Sequence, residues 1–199
     1  MKEKTIGEYI EELSSSSPTP GGGSVSCFLL SLSSSLSEMV CGLTPSLERY
    51  IPELKKLSER FLKLAQMDEE AFNKVMKAYS LPKKTEEEKK KRKEAIQNAL
   101  KEATDVPLEA MKKAKEIIPF VEILLKDGNK NAISDVGVSA VTLKAGVMSA
   151  YLNVLINLKY IKDEKYREKT FKEANEILKY VRKWGSDVFD SMKKIIASS

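Results

Sequence analysis

The stretch VGVSAVTLKAGVMSAYLNVLINL, residues 136–158, decides the fold class of this 199-residue chain. It contains a single charged residue, Lys144, and its apolar residues lie on nearly every side of a helical projection. A helix of this kind belongs at the centre of a bundle, where other helices cover it. We therefore expect a central helix over about 136–161, capped by Ser134 or Asp135, in an all-α protein.

The remaining sequence supplies the helices that would surround this segment. Apolar positions recur at helical spacing in each of them, and the third carries a seam that alternates steps of three and four. The expected helices cover about 5–13, 24–43, 52–79, 85–106, 108–118 and 167–197. No strand pattern, repeat or domain boundary interrupts them, so residues 1–199 are predicted to form one single-domain bundle of long helices.

Composition restricts the chemistry. The chain has no histidine, which removes the usual base near neutral pH and the commonest ligand of catalytic metals. Its two cysteines, Cys27 and Cys41, sit in an apolar segment, so neither a disulfide scaffold nor a zinc site is expected. Proton transfer must then use Asp, Glu, Lys, Tyr, Cys or water.

Charge and hydropathy bear on partners and location. The net charge is +5, but the basic run 89–93 directly follows three glutamates, a pattern typical of a solvated helix face rather than of a nucleic-acid site. The first nine residues lack the apolar core of a signal peptide. The apolar stretch from Val25 reaches Glu38 too early to span a bilayer. We expect a cytoplasmic protein that binds neither nucleic acid nor membrane.

Three features depart from a simple bundle. The first is the glycine-rich segment Pro18–Ser24, in which Ser24 is expected to cap the second helix. Free N–H groups at a helix start favour an anion, although a tight turn before a buried helix would need the same glycines.

The second feature is Asp68, which falls on the apolar seam of the third helix. A carboxylate there is either paired at the seam edge or faces a cavity, where burial would raise its pKa and suit it to acid–base catalysis.

The third feature is a polar stripe along the central helix. It is expected either to fix the register between helices or to line a binding cleft. Its members are Asp135, Ser139, Thr142, Gly146, Ser149, Asn153 and Asn157.

Several of these segments together resemble the formiminotetrahydrofolate cyclodeaminase and methenyltetrahydrofolate cyclohydrolase family. The matching stretches occur in the family's order, over roughly residues 5–195. They are PTPGGGS (18–24), DEEAF (68–72), LPKKTEEEK (81–89), Arg92, Ala103, VPL (106–108), Gly128–Asn129, Ser134–Asp135 and AYLNVLINL (150–158).

The resemblance implies a helical subunit that forms a homodimer and acts on a folate, with or without a polyglutamate tail, using no metal and no redox cofactor. It also implies that Asp68 is the catalytic residue. Gly21, Gly22, Gly23 and Ser24 would then offer N–H groups to the substrate, and Lys83 would meet its glutamate tail. Asn129, Asp135, Asn153 and Asn157 would orient the substrate or the catalytic carboxylate.

The sequence leaves three functions open, two enzymatic and one non-catalytic. The asparagine-containing stretch 150–158 favours the cyclodeaminase, which closes the methenyl bridge of the folate and releases ammonia. The cyclohydrolase, which hydrates that bridge, would need a similar site. The serine-rich second helix with Phe28 would suit a non-catalytic folate-binding protein if its side chains narrowed the cleft.

Overall fold

The protein is an antiparallel bundle of long helices, described for residues 4–197 of a computed structural model. No strand occurs within that range. The α-helices are α1 (Ile6–Ser14), α2 (Gly22–Gly42), α3 (Ile51–Tyr79), α4 (Glu86–Ala114), α5 (Ile118–Asp127), α6 (Ile133–Leu158) and α7 (Glu164–Ala197). Short 3-10 helices at Pro45–Tyr50 and Lys130–Ala132 precede α3 and α6. The predicted all-α architecture is confirmed.

The segment 136–158 does form the central helix. Helix α6 packs against α2, α4, α5 and α7, and α2 packs against both α3 and α6. The apolar seam of α3 is also confirmed, because the leucines and alanines of the seam, together with Phe61 and Val75, are all buried.

By length and composition alone, α2 and the stretch 130–158 would each be sufficient to cross a membrane. This differs from our expectation for α2, but both helices serve here as core helices of the bundle.

Helices α2 and α6 approach each other closely because small residues face each other. A Cβ atom placed on Gly146 of α6 would lie 2.8 Å from the Leu30 side chain and 3.2 Å from the Ser26 carbonyl oxygen of α2. Two turns earlier in α6, the Ser139 hydroxyl donates to the Ser33 carbonyl oxygen at 2.8 Å, and the Ser33 hydroxyl donates to the Ser139 carbonyl oxygen at 2.9 Å. The small and polar stripe in this half of α6 therefore fixes the register between two helices.

Helix α2 is fastened to α3 by the same means. The Ser31 hydroxyl donates to the Ser58 carbonyl oxygen at 3.1 Å, and the Ser34 hydroxyl donates to the Leu54 carbonyl oxygen at 2.8 Å. These serines are buried in the helix interface, so their polar groups need such partners.

Helix ends differ from expectation in several places. Thr85 and Glu88 form a capping box at the start of α4. Helix α2, however, begins at Gly22 with Gly21 as its N-cap, which puts Ser24 inside the first turn rather than at the cap. Helix α6 begins at Ile133, so neither Ser134 nor Asp135 caps it. In both cases the helix begins at least one residue before the side chain that was predicted to cap it.

Proline positions explain two further differences. Pro107 neither ends nor divides α4, which continues to Ala114, and Pro119 lies in the first turn of α5 instead of ending a helix. In the first turn of a helix, backbone N–H groups have no intrahelical acceptor, so a proline there costs no hydrogen bond. In α1, Tyr9 is buried, while Ile6, Ile10 and Leu13 are exposed.

Candidate active site

The glycine-rich segment lies beside a cleft of about 510 Å³ between α2, α3, α4 and α6. One end of the cleft is polar and is formed by Gly21, Gly22, Gly23, Asp68, Asn153 and Asn157. The other walls are largely apolar or aromatic. They are formed by Phe72, Val75, Met76, Tyr79, Leu100, Ala103, Ile156 and Tyr160, with Pro18 and Thr19 at the glycine end.

Asp68 lies directly against the start of α2. A Cβ atom on Gly23 would fall 2.1 and 2.2 Å from the two Asp68 carboxylate oxygens, so only glycine leaves room for the carboxylate at this point. The backbone N–H of Ser24 donates to this carboxylate. The glycines therefore allow a side chain of α3 to reach the N-terminus of α2, where the helix dipole favours a negative group.

The environment of Asp68 raises the pKa of its carboxyl group from 3.8 to about 6. Burial is the main cause, and the nearby negative charge of Glu69 adds to it, while the Ser24 N–H opposes both. A carboxyl group with a pKa near 6 exchanges protons readily around neutral pH, as a general acid or base must.

Ser24 links Asp68 to a second layer of polar groups. Its hydroxyl donates to Glu69 Oε1 at 3.0 Å and lies 3.3 Å from the Tyr9 hydroxyl. Because a hydroxyl has one proton, and Ser24 gives that proton to Glu69, Tyr9 must donate to Ser24. The chain Tyr9–Ser24–Glu69 thus ties α1, α2 and α3 together immediately behind Asp68.

Cys27 lies one turn further along α2, on the same buried side. Burial raises the pKa of its thiol to about 12, and the negative charge of Asp68 contributes. The thiol is therefore neutral over the physiological range.

The two asparagines are anchored by their amide NH₂ groups. Asn153 Nδ2 donates to the Ser149 carbonyl oxygen at 2.9 Å, and Asn157 Nδ2 donates to the Ala103 carbonyl oxygen of α4 at 2.8 Å. Each side chain keeps an amide oxygen with which to accept hydrogen bonds from a ligand in the cleft. Asn153 also faces the glycine turn, since a Cβ atom on Gly22 would lie 3.5 Å from its Nδ2 atom.

The other predicted site residues lie elsewhere. Asn129 is at the opposite end of the bundle, where its N–H donates to Thr44 Oγ1 and its side chain donates to the Leu43 carbonyl oxygen. Asp135 is in the first turn of α6, eighteen residues from Asn153, or about 27 Å along the helix. Within this chain, neither residue can contact a ligand held at Asp68.

Ser24 and Lys83 also differ from expectation. The Ser24 N–H is occupied by Asp68 and its buried hydroxyl by Glu69, so this residue positions the carboxylate instead of offering a donor to a substrate. Lys83 is exposed in the 80–85 connection and does not line the cleft, although this connection leaves α3 beside the cleft residue Tyr79.

The aromatic wall of the cleft and the residues behind Asp68 were not predicted from the sequence. Arg92 donates to the Tyr79 carbonyl oxygen from Nε at 3.2 Å and from Nη2 at 3.0 Å, which fixes the end of α3 at the cleft. The sequence signal for Tyr9 was its place on an apolar helical face. The sequence signal for Tyr79 and Tyr160 was their position at helix ends, and this signal was too weak to assign the two tyrosines to a cleft.

The serines of α2 do not narrow the cleft. Ser26, Ser31, Ser33, Ser34 and Ser37 are buried and make hydrogen bonds within or between helices, and they are not among the described residues that line it. The structural ground for a non-catalytic protein, a cleft filled by the second helix, is therefore absent.

The fold and the cleft together define a class of protein: an all-helical scaffold that holds one proton-exchanging carboxyl group at the polar end of an apolar cleft. Residues 5–176 match the formiminotransferase-cyclodeaminase family, and the chain belongs to this family. The family resemblance expected from the sequence is confirmed.

Relatives with two different names are similar to this chain. The formiminotetrahydrofolate cyclodeaminase of Thermotoga maritima, a solved structure, superposes with a TM-score of 0.81 at 31% identity, over 99% of this chain and 98% of that one. The methenyltetrahydrofolate cyclohydrolase of Methylorubrum extorquens is 38% identical over 96% of both chains. The formimidoyltransferase-cyclodeaminase of Mus musculus is 32% identical over 97% of this chain, which spans only 38% of that longer protein.

The contact between Gly23 and Asp68 generates a first prediction. Gly23→Ala should displace the carboxylate from the start of α2 and lower folate turnover by about two orders of magnitude, the usual scale for losing an acid–base group. Gly42→Ala, at the other end of α2, is the control, because its Cβ atom would lie 3.9 Å from Ile51 and cause no clash. Steady-state rates and circular dichroism of both variants test this, and full activity of a folded Gly23→Ala protein would contradict it.

The raised pKa of Asp68 generates a second prediction, on stability. Because the folded protein binds this proton more tightly than the unfolded chain does, the free energy of unfolding falls as the pH rises from about 4 to about 6. Asp68→Asn removes this cost and should stabilise the protein at pH 8 by about 3 kcal/mol at most. Urea unfolding at pH 8 and pH 4 tests the change, and the gain should disappear at pH 4. A variant that is less stable than the parent at pH 8 would contradict it.

Proposed function

We propose that this protein is a folate one-carbon enzyme that converts formiminotetrahydrofolate to methenyltetrahydrofolate and ammonia. The observation that carries the proposal is the placement of Asp68, a carboxyl group with a pKa near 6, against the glycine turn at the polar end of an apolar cleft. The named activity of the Thermotoga maritima relative supports the choice of reaction.

The reaction needs a group that moves one proton between two nitrogen atoms. The formimino carbon is attached to N5 of the substrate, and N10 attacks it to give a tetrahedral carbon bearing three nitrogens. Asp68 would accept the proton that N10 loses and deliver it to the exocyclic amine, which leaves as ammonia while the methenyl bridge closes. A carboxyl group with a pKa near the working pH is suited to both transfers.

The rest of the cleft would bind and orient the folate. The aromatic and aliphatic wall, which includes Phe72, Tyr79 and Tyr160, suits a ring system and excludes water. The amide oxygens of Asn153 and Asn157 can accept hydrogen bonds from ring N–H groups. Gly21, Gly22 and Gly23 allow the ligand to approach the backbone at the start of α2, and holding both nitrogens in attack geometry lowers the barrier further.

No metal or redox cofactor is part of this proposal. The conversion changes no oxidation state, and the sequence contains no histidine with which to hold a catalytic metal.

We further propose a cytoplasmic location, which the two buried free cysteines support because unpaired thiols are typical of reducing compartments. Lys83 stays a predicted contact for a polyglutamate tail extending from the cleft past Tyr79.

The cyclohydrolase reaction is the second candidate. It is supported by the 38% identity to a methenyltetrahydrofolate cyclohydrolase over nearly the whole of both chains. Water would add to the methenyl carbon to give a tetrahedral carbon. One of the two carbon–nitrogen bonds of the bridge would then break, so that the released nitrogen takes up a proton and a formyl group stays on the other nitrogen. Asp68 would then act as the base that takes a proton from this water.

One experiment separates these activities. Purified protein is mixed with formiminotetrahydrofolate or with methenyltetrahydrofolate, and the methenyl absorbance is followed. A rise with the first substrate supports the cyclodeaminase, and a decay of the second above the uncatalysed rate supports the cyclohydrolase. Asp68→Asn should lower the observed rate by about two orders of magnitude or more. Glu70→Gln is the control, because Glu70 is exposed and bonded only to Gln66 on its own helix face. If the wild-type protein leaves both substrates unchanged, the proposed function is wrong.

We also propose that the enzyme is a homodimer formed through α6. Five exposed apolar residues lie on one face along this helix: Val138, Val141, Met148, Leu152 and Ile156. With Phe189 and Ile196 of α7, the first two border an apolar groove of about 600 Å³. A continuous apolar face of this length is characteristic of an interface. Ile156 also lines the folate cleft, so the interface would adjoin the site.

Light scattering tests the dimer. The 22.3 kDa chain should give a mass of about 45 kDa, twice that of one chain. Leu152→Glu should shift the protein to the monomer, because a charge would be buried at the centre of the interface. Ile6→Glu, at 66% exposed compared with 65% for Leu152, is a matched control that should stay dimeric. A wild-type mass of one chain would contradict the proposal.

A further inference from the structure

Pro107 lies in the middle of α4, where a proline is unfavourable. It has no N–H to donate to the carbonyl oxygen four residues earlier, and its ring presses against that carbonyl. The affected carbonyl is that of Ala103, which lines the folate cleft. Since Pro107 is buried within a continuous helix, the Ala103 oxygen must find another donor.

That donor comes from α6. Asn157 Nδ2 donates to the Ala103 carbonyl oxygen at 2.8 Å, and Asn157 lines the same cleft. One turn earlier in α4, the Thr104 hydroxyl donates to the Leu100 carbonyl oxygen at 2.7 Å, so the neighbouring turn is satisfied from within its own helix. The carbonyl released by the proline is thus the one that holds the asparagine side chain.

We propose that Pro107 is a positioning residue for substrate binding: it releases the Ala103 carbonyl, which fixes the Asn157 amide so that its oxygen is presented to the folate. A hydrogen-bonded NH₂ group fixes the orientation of the whole planar amide and therefore the direction of its oxygen. With an ordinary residue at 107, the carbonyl would turn back toward the helix axis to accept the restored N–H, away from α6. The inference rests on the proposed function, because it assumes that the ligand of the cleft is a tetrahydrofolate.

The test is Pro107→Ala, measured by three independent methods. The thermal midpoint should rise, because alanine is strongly preferred to proline in a helix interior. The dissociation constant for 5-formyltetrahydrofolate, by calorimetry, should increase about three- to tenfold, the scale of mispositioning one hydrogen-bonding group. KM should rise similarly, while kcat should change less than about twofold because Asp68 is untouched. A merely structural role for Pro107 would not give a more stable protein that binds more weakly.

The matched control is Pro52→Ala. Pro52 lies in the exposed first turn of α3, where the substitution restores an N–H that displaces no cleft group. Binding by this variant should be unchanged. In a second control, Pro107→Ala made in an Asn157→Ala background should weaken binding no further, because the residue that it positions is already absent. Independent, additive losses in that double variant would overturn the inference.

A measurement without substrate keeps this inference separate from the proposed function. The side-chain amide signals of Asn157 in a 15N-correlated NMR spectrum, assigned by their loss in Asn157→Ala, should shift and exchange faster with water in Pro107→Ala. Unchanged signals would overturn the positioning role even if the enzyme is active. Failure of the wild-type protein to bind 5-formyltetrahydrofolate, with the Asn157 signals still shifted, would instead contradict the folate function on which this role rests.

Discussion

The structure depends on the close contact of α2 with two neighbouring helices at once. Serine hydroxyls of α2 reach carbonyl groups of α3 on one side and of α6 on the other, and Gly146 removes the side chain that would separate α2 from α6. Because these contacts are hydrogen bonds between defined atoms, they fix the axial register as well as the distance. The N-terminal turn of α2 is consequently held at a defined place relative to both partners, and the active-site geometry follows from that placement.

One stripe on α6 serves two purposes along its length. Its first half, with Ser139 and Gly146, lies against α2 and sets register, whereas its last two turns carry Asn153 and Asn157 into the cleft. The register interpretation offered by the sequence is therefore confirmed for the first half of the helix, while binding by the last two turns stays a prediction. The division falls where α2 begins: Asn153 lies beside Gly22, the first residue of α2, and both Asn153 and Asn157 line the cleft.

Sequence patterns predicted the helices, the central position of α6 and the unusual place of Asp68, since burial leaves a strong periodic signal over long helices. They did not predict which polar residues would meet. Asp135 and Asn153 share a stripe but lie too far apart along the helix, and Asn129 packs on Thr44 at the opposite end of the bundle. Helix starts were also misassigned at Ser24 and Asp135, because glycine or alanine occupies the cap position and leaves no side-chain signal. Glu69 also could not be predicted from the sequence, because its contact with Ser24 crosses the interface between α2 and α3 behind Asp68.

The buried thiol of Cys27 is protected from alkylation and oxidation, although a free cysteine is usually open to both. Alkylating agents and peroxides attack the ionised sulfur, and burial raises the pKa of this thiol to about 12, so that the sulfur is protonated at neutral pH. An ionised cysteine at this place in α2 would otherwise be open to oxidation. Here the same desolvation that raises the pKa of the Asp68 carboxyl group also keeps the Cys27 thiol protonated and inert.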